Sequence, residues 1–299
     1  MGGKIIMTGV TKIGDPFVLP YNGKYYMYAT SDGNGFKVWE SDDLVQWKDA
    51  GLCYSNSQWA MKNNNYWAPE VYLYRGKFWM LYTARWQKNQ SLRLGLAVAD
   101  SPLGQFADVA DKPFDFGYAA IDGNILFDDD GKNYLYYSRD ICENIVDGKG
   151  TSQIYAVRLS GDLQETQGEP VMVSTPDTEW EQKAGDRERW NEGPAVIKHS
   201  GKYYMFYSVN PFWSPYYSVC YSVAGSPLGP FVKAAENPVL KLIEGVMTGP
   251  GHNSFFTTFD GRLMTAYHVH TDMGKPSGDR RACFSEVLFE NAKAVVDYR

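Results

Sequence analysis

Three acidic residues precede short apolar segments at similar places in the sequence, and their side chains suit acid–base chemistry. Asp15 comes before Phe-Val-Leu, Asp122 before Ile-Leu-Phe, and Glu192 before Ala-Val-Ile. A glycine-containing turn and an aromatic segment follow each of them, which indicates a β-hairpin with a carboxylate at its mouth. Hydrolysis of a glycosidic bond requires one carboxylic acid that donates a proton and a second carboxylate that acts as base or nucleophile.

The hairpin pattern occurs five times, and this repetition predicts the fold. The turn glycines are spaced by 53, 55, 70 and 60 residues and are Gly23, Gly76, Gly131, Gly201 and Gly261. Repeats of this length indicate a propeller or a solenoid, and an all-β unit favours the propeller. We therefore predict an all-β fold, a five-bladed β-propeller, with residues 1–299 as a single catalytic domain.

Two segments outside the hairpins carry specific expectations. The polar stretch at residues 165–189 is the least periodic part of the chain, so we expect a long connection there. Residues 4–10 are expected to supply the strand that closes the ring of blades. The four cysteines, which lie far apart, are interpreted as small buried hydrophobic residues rather than as zinc ligands or disulfides: Cys53, Cys142, Cys220 and Cys283.

Charge and hydropathy exclude two classes of partner. The 299 residues include 35 acidic and 29 basic ones, for a net charge of −6. No basic run is present, so neither nucleic acid nor a membrane is expected as a partner. There is no apolar run of about 18 residues and no signal-like start, so the chain as given is predicted to be cytoplasmic. A secreted or periplasmic location applies if a signal has been removed. The oligomeric state is left open.

Propeller topology predicts which side chains can meet. The starts of the first strands, the ends of the second strands and the starts of the third strands lie on one face of the disc. We expect a polar pocket with an aromatic rim on that face, built from Asp15, Trp67, Asp122, Glu192, His252, Arg85, Trp86, Arg280 and Arg281. Because side chains alternate along a strand, only one of Arg280 and Arg281 is expected to face the pocket.

Plainer interpretations exist for several of these residues. Asp15 before proline and Asp122 in Asp-Gly-Asn also fit ordinary turn sequences, and Glu70 is expected to be structural. His252 has three alternatives: direct ligation of a metal, binding of a metal through water, or a hydrogen bond to the sugar or to a carboxylate. Calcium held largely through water at the propeller axis is the metal expected, and no cofactor is required.

With these residues in view, the chain resembles the family 43 glycoside hydrolases over nearly its whole length. The resemblance rests on five motifs in order, Asp15-Pro16, Trp67-Ala68-Pro69, Asp122-Gly123, Glu192-Gly193-Pro194 and Gly251-His252-Asn253. It implies a five-bladed propeller and an inverting mechanism, with Asp15 as general base, Glu192 as general acid, and Asp122 tuning and orienting the acid. It also implies that Trp67 helps to form the terminal-sugar subsite and that His252 lies where some members hold calcium.

The resemblance also implies a substrate class. The Glu-Gly-Pro form is similar to the exo-acting arabinofuranosidase and xylosidase branches. The expected activity is the release of terminal α-L-arabinofuranosyl units from fragments of arabinan or arabinoxylan. Alternatives left open are a β-D-xylosidase, an exo-galactanase, a phosphorylase in which phosphate replaces water, and a glycan-binding propeller without catalysis. The expected partner in each case is an oligosaccharide or polysaccharide.

Overall fold

The protein is a five-bladed β-propeller, as the hairpin repeats predicted. A computed structural model describes residues 5–62, 65–183, 185, 187–276 and 278–298. Within those ranges no helix has the length and apolar character needed to span a membrane. Lys4, the first residue of the expected closing strand, lies outside the described residues. The strand that begins the described chain, β1 (Ile6–Thr11), belongs to the last blade.

The first two blades are four-stranded antiparallel sheets in which each strand pairs with the next along the chain. Blade one consists of β2 (Gly14–Tyr21), β3 (Lys24–Asp32), β4 (Gly35–Ser41) and β5 (Lys48–Ser55). Blade two consists of β6 (Trp67–Tyr74), β7 (Lys77–Arg85), β8 (Leu92–Ala99) and β9 (Ala107–Asp108).

Blades three and four are joined by a short parallel pairing. Blade three contains β10 (Ala120–Phe127), β11 (Asn133–Arg139), β12 (Ile145–Val146), β13 (Lys149–Leu159) and β14 (Thr166–Ser174), with the 3-10 helix η1 (Ile141–Glu143). The 3-10 helix η2 (Glu179–Gln182) leads into blade four, which contains β15 (Glu188–His199), β16 (Lys202–Val209), β17 (Ser218–Ala224) and β18 (Val232–Lys233). The start of β15 runs parallel to the start of β13.

The expectation that residues 165–189 form a long connection was wrong in part. Strand β14 lies inside that stretch and is the outer strand of blade three, paired with β13. Its side chains are mostly exposed on both faces, so the strand lacks the apolar alternation that marks a half-buried strand.

Blade five closes the ring with both ends of the chain. It contains β19 (Gly251–Thr257), β20 (Leu263–His270), β21 (Arg280–Glu290) and β22 (Lys293–Asp297). The same edge of β21 pairs with β1 near Phe284 and with β22 near Leu288, so two segments share the place of one outer strand. This confirms that the first residues close the ring, and it adds a contribution from the C-terminal strand that the sequence did not predict.

The five turn glycines that marked the hairpins in the sequence adopt a left-handed backbone conformation. All five have φ between 75° and 88°, the left-handed region in which glycine avoids the strain of a β-carbon. In three hairpins the preceding residue is also left-handed, as a two-residue hairpin turn requires: Asn22, Arg75 and Ser200.

A buried tyrosine near the end of each second strand packs the blades against one another. These side chains are at most 1% exposed and are Tyr28, Tyr82, Tyr137, Tyr207 and Tyr267. The repeated Ser-Pro-Leu-Gly turns serve the same packing, because Pro102 and Pro227 accept hydrogen bonds from Tyr28 and Tyr136 of the preceding blade. Sheet packing therefore holds the inner strands, whose first residues build the site.

Candidate active site

One backbone feature recurs at the mouth of every blade. Each first strand has a bulge whose residue adopts a left-handed φ of 47–57°, at Asp15, Ala68, Asp122, Gly193 and His252. The amide of each donates a hydrogen bond of 2.7–3.2 Å to a side chain near the end of the preceding blade's second strand, in the order His268, Thr30, Thr83, Ser138 and Ser208. Neighbouring blades therefore fix one another's site residues.

Glu192 is not at the position equivalent to the two aspartates, contrary to the sequence alignment. The bulge of blade four falls on Gly193, whereas Glu192 pairs in register with Ser208. Trp67 holds the same register position in blade two, opposite Thr83. Glu192 thus enters the site from one residue before the bulge.

The predicted carboxylates share one cavity of about 370 Å³ at the mouths of the first strands. All five blades contribute to its lining. Of the residues predicted from the sequence, it contains Asp15, Trp67, Arg85, Asp122, Glu192, His252 and Arg280. It also contains Thr30, Asp140, Cys142, Trp190, Phe212, Trp213 and Tyr217.

Trp86 and Arg281 do not line this cavity, so their expected contact with substrate is corrected. The ring of Trp86 packs against the core between blades one and two, and the Lys88 ammonium lies 4.9 Å from its centroid. Arg281 pairs with Val269 in the ladder next to Arg280, and alternation along β21 turns the two side chains to opposite faces. The expectation that only one of the two arginines faces the pocket is confirmed for Arg280.

Cys142 also differs from its interpretation as a buried hydrophobic residue. Its side chain is exposed and lines the cavity, whereas Cys53, Cys220 and Cys283 are buried. Cys142 lies in η1, which begins after Asp140, and Oδ1 of Asp140 accepts from its amide at 3.0 Å. The short helix therefore carries both residues to the cavity wall.

Asp15 is held in its ionised form. Thr30 donates to its Oδ2 at 2.6 Å, and Nη1 of Arg280 lies 3.3 Å from its Oδ1. Burial works against the charge, but the neighbouring His252 and Arg280 outweigh it and place the pKa of Asp15 below its usual value. A carboxylate of this kind can accept a proton from water.

Glu192 is held in its protonated form at neutral pH. Burial raises its pKa to about 8, against the effect of the Tyr217 hydroxyl, which donates to Oε1 at 3.0 Å. Asp140 and Asp15 add like-charge repulsion that favours the protonated form. The pKa of Asp122 is also raised, first by burial and then by Glu192 and Asp15.

In the part of the chain that the structure describes, no set of direct metal ligands surrounds His252. Its Nδ1 atom lies 3.3 Å from Oδ1 of Asp15, and its ring packs on Gly193, where a β-carbon would be 3.1 Å from Nδ1. Leaving aside residues 1–4, 63–64, 184, 186, 277 and 299, no three His, Cys, Asp or Glu side chains are grouped so that they could hold a metal ion. The donor set does not fit a directly ligated metal. A calcium ion held through water stays a prediction.

Sequence reasoning missed the residues that hold the carboxylates. Thr30 and Tyr217 bind Asp15 and Glu192, while His268 accepts from the amide of Asp15. A signal was present for part of this set, because the second strands carry Tyr82-Thr83, Tyr137-Ser138, Tyr207-Ser208 and Tyr267-His268. Tyr217 follows an irregular loop, and no repeat marks it.

An ionised and a protonated carboxyl group in one cavity can remove a proton from water and donate a proton to a leaving oxygen. Those two steps are what hydrolysis of a glycosidic bond requires. With the five-bladed propeller, they define a glycoside hydrolase, whose substrate is a carbohydrate.

Comparison with known proteins gives the family. The model for glycosyl hydrolases family 43 matches residues 8–291. A β-D-galactofuranosidase of Aspergillus niger is 28% identical over 94% of this chain and 81% of its own length. A xylosidase/arabinosidase of Bacteroides ovatus is 28% identical over 73% of this chain and 75% of its own. The crystal structure of a thermostable family-43 glycoside hydrolase has a TM-score of 0.93 at 44% identity, covering 98% of this chain and 95% of that one. The chain belongs to glycosyl hydrolase family 43.

Proposed function

We propose that this protein is an inverting, exo-acting α-L-arabinofuranosidase that releases terminal arabinofuranosyl units from fragments of arabinan or arabinoxylan. The observation that carries the proposal is that Asp15 and Glu192 line one cavity, whose surroundings lower the pKa of Asp15 and raise that of Glu192. The cavity is walled by all five blades, which favours a terminal sugar unit over the middle of a chain. The Bacteroides ovatus relative, named as a xylosidase/arabinosidase, supports a pentose substrate.

The proposed reaction is a single displacement. Asp15 takes a proton from a water molecule, whose oxygen attacks the anomeric carbon. Glu192 gives its proton to the glycosidic oxygen as the bond to the anomeric carbon breaks. Asp15 ends protonated and Glu192 ends ionised, and exchange with solvent restores both. Asp140 and Asp15 raise the pKa of Glu192 by their charge, and Asp122 orients the acid.

A β-D-xylosidase is the second candidate, favoured by the name of the same relative. Both sugars are pentoses, and both would place an anomeric carbon between the same two carboxyl groups. The distinction depends on the shape of the cavity around the sugar ring rather than on the acid–base pair.

The test compares hydrolysis of 4-nitrophenyl α-L-arabinofuranoside, 4-nitrophenyl β-D-xyloside and an arabino-oligosaccharide by the wild type. Faster turnover of the two arabinosides supports the proposal, and preference for the xyloside contradicts the arabinofuranosidase assignment. If the folded protein hydrolyses neither the arabinosides nor the xyloside, the result would contradict any assignment as a pentosidase.

A pair of variants ties that activity to the site. Glu192→Gln should lower kcat/KM on the oligosaccharide by about 10²- to 10⁴-fold, the contribution of a general acid. Glu70→Gln is the matched control, because burial also raises the pKa of Glu70 to about 8 although its partners are Tyr72 and Asn124, outside the cavity. Equal losses in both variants would contradict the role of Glu192.

A further inference from the structure

Two buried aromatic residues connect Asp15 to Glu192. His268 accepts a hydrogen bond on Nδ1 from the amide of Asp15 at 3.2 Å. Its ring lies nearly parallel to that of Tyr217, with the planes 9° apart and the centroids separated by 5.5 Å. The hydroxyl of Tyr217 donates to Oε1 of Glu192 at 3.0 Å. The two carboxyl residues, which belong to blades one and four, are thus joined through blade five.

His268 is the exception in the ring of amide contacts described above. The other four blades use Thr30, Thr83, Ser138 and Ser208, whose hydroxyls need only accept from one amide. A histidine makes that bond through Nδ1, so the ring proton is on Nε2. That atom meets no hydrogen-bond partner among the residues that the structure describes. The additional feature that the imidazole provides here is its contact with the ring of Tyr217.

The surroundings of Tyr217 fix its hydroxyl on Glu192. The side chain is 1% exposed, and a β-carbon at Gly251 would lie 2.1 Å from its ring. The phenolic hydroxyl donates its proton to Oε1 of Glu192 at 3.0 Å. The proton of Glu192 is then carried on Oε2.

We propose that His268 and Tyr217 form one positioning unit that orients the acid relative to the base and assigns the transferable proton to Oε2 of Glu192. The proposal rests on the proposed glycosidase function. When Oε2 gives its proton to the leaving oxygen, Glu192 becomes a carboxylate. The Tyr217 hydrogen bond then becomes charge-assisted, and such bonds are roughly twice as strong as neutral ones. The unit therefore stabilises the transition state more than the ground state.

Tyr217→Phe keeps the ring stack and removes only the donor. We expect kcat/KM for an arabino-oligosaccharide to fall about 10- to 100-fold, the worth of one hydrogen bond to a developing charge. The loss on 4-nitrophenyl α-L-arabinofuranoside should be smaller, because that leaving group needs little proton donation. The limb of the pH profile that reports Glu192 should move to higher pH by about one unit, since the Tyr217 bond lowers the pKa of Glu192.

His268→Asn tests the other half of the unit. The amide oxygen of asparagine can replace Nδ1 as the acceptor from Asp15, whereas the stacked ring is lost. The basic limb should therefore move upward as in Tyr217→Phe. In the double variant the two shifts should not add, because both act through the same hydrogen bond. If Tyr217→Phe fails to fold, His268→Asn alone still tests the proposal.

The other charged or titratable groups facing Glu192 are unchanged in both variants: Asp15, Asp122, Asp140, His252 and Arg280. If both variants keep the basic limb of the wild-type pH profile and lose kcat/KM equally on the two substrates, the positioning role is overturned. The glycosidase proposal is left intact by that result. A second readout does not need activity. Titration of the Glu192 carboxyl carbon by ¹³C NMR should give a higher pKa in Tyr217→Phe, and an unchanged value would overturn the proposal even for a protein inactive on these substrates.

Discussion

The guanidinium group of Arg280 lies directly over the α-carbon of Gly14. A β-carbon at residue 14 would be 2.3 Å from Nη2 of Arg280, while Nη1 of the same group lies 3.3 Å from Oδ1 of Asp15. Glycine at this position therefore makes the room in which the arginine reaches the carboxylate. The ionised state of Asp15 depends in part on a residue with no side chain.

Gly14→Ala should displace Arg280 and weaken its ion pair with Asp15. Because Arg280 lowers the pKa of Asp15, that pKa should rise, and the acidic limb of the pH–rate profile should move toward neutral pH. Gly9→Ala on β1 is the control, since nothing lies within 4 Å of a β-carbon there. An acidic limb that does not move in Gly14→Ala would contradict the part assigned to Arg280.

Glu192→Gln should stabilise the fold while it removes activity. Folding raises the pKa of the Glu192 carboxyl group. The folded protein therefore loses stability as the pH increases from the pKa of the unfolded state toward the pKa of the folded state, which is about 8. Glutamine has no charge to bury, so the free energy of unfolding of the variant should exceed that of the wild type by on the order of 1–3 kcal/mol at pH 7. The variant should therefore unfold at a higher temperature. The difference should be larger at pH 8 than at pH 5. Thermal unfolding at both pH values measures it, and a variant less stable at pH 8 would contradict the burial of a protonated Glu192.

Trp213 should contact the leaving group. Its indole is 48% exposed, lines the cavity, and stands edge-on to Trp190, which precedes Glu192 on β15. The leaving group must lie on the side of the acid that protonates it. Trp213→Ala should therefore raise KM for an arabino-oligosaccharide about 2- to 10-fold, the worth of one aromatic contact. Phe259→Ala, at an exposed turn of blade five, is the control. Equal KM values for wild type and Trp213→Ala would exclude this contact.

Thr83→Val should disturb Asp122 through the backbone. The Thr83 hydroxyl, which is fully buried, accepts from the amide of Asp122 at 3.0 Å. Valine has nearly the same shape and leaves that amide without its partner, at a cost of about 1–3 kcal/mol. Thr83→Ser retains the acceptor and should recover most of the stability and the activity. Denaturant unfolding of the pair measures the bond, and equal stability of both variants would show that it contributes little.

The sequence predicted the blades because each hairpin needs a left-handed glycine and an apolar first strand. Short or exposed outer strands escaped prediction. Strands β9 and β18 have two residues each, and β14 is exposed along most of its length, so no periodic pattern marks any of them. The outer strand of blade five comes from two segments at opposite ends of the chain. That pairing was predicted only for β1.

The carboxylates were predictable, but their register was not. Aligned on the turn glycines, Asp122 and Glu192 are both nine residues ahead, which made them look equivalent. Gly193 is the bulge residue of blade four, and the blade-three turn is longer, with Asp128 accepting from the amide of Gly131. The extra residue in the blade-three turn compensates for the one-residue displacement of Glu192 from the bulge. Asp122 and Glu192 therefore lie at the same distance from their turn glycines. Contacts such as Tyr217 with Glu192 come from loops that no repeat constrains.

The stereochemistry of the first product tests the central claim most directly. If Asp15 activates water on the face opposite to the oxygen that Glu192 protonates, the anomeric carbon inverts in one step. ¹H NMR of the wild type acting on an α-L-arabinofuranoside should show β-L-arabinofuranose first, with the α anomer growing later by mutarotation. Initial appearance of the α anomer would indicate a covalent intermediate and would contradict the roles proposed for the two carboxyl groups.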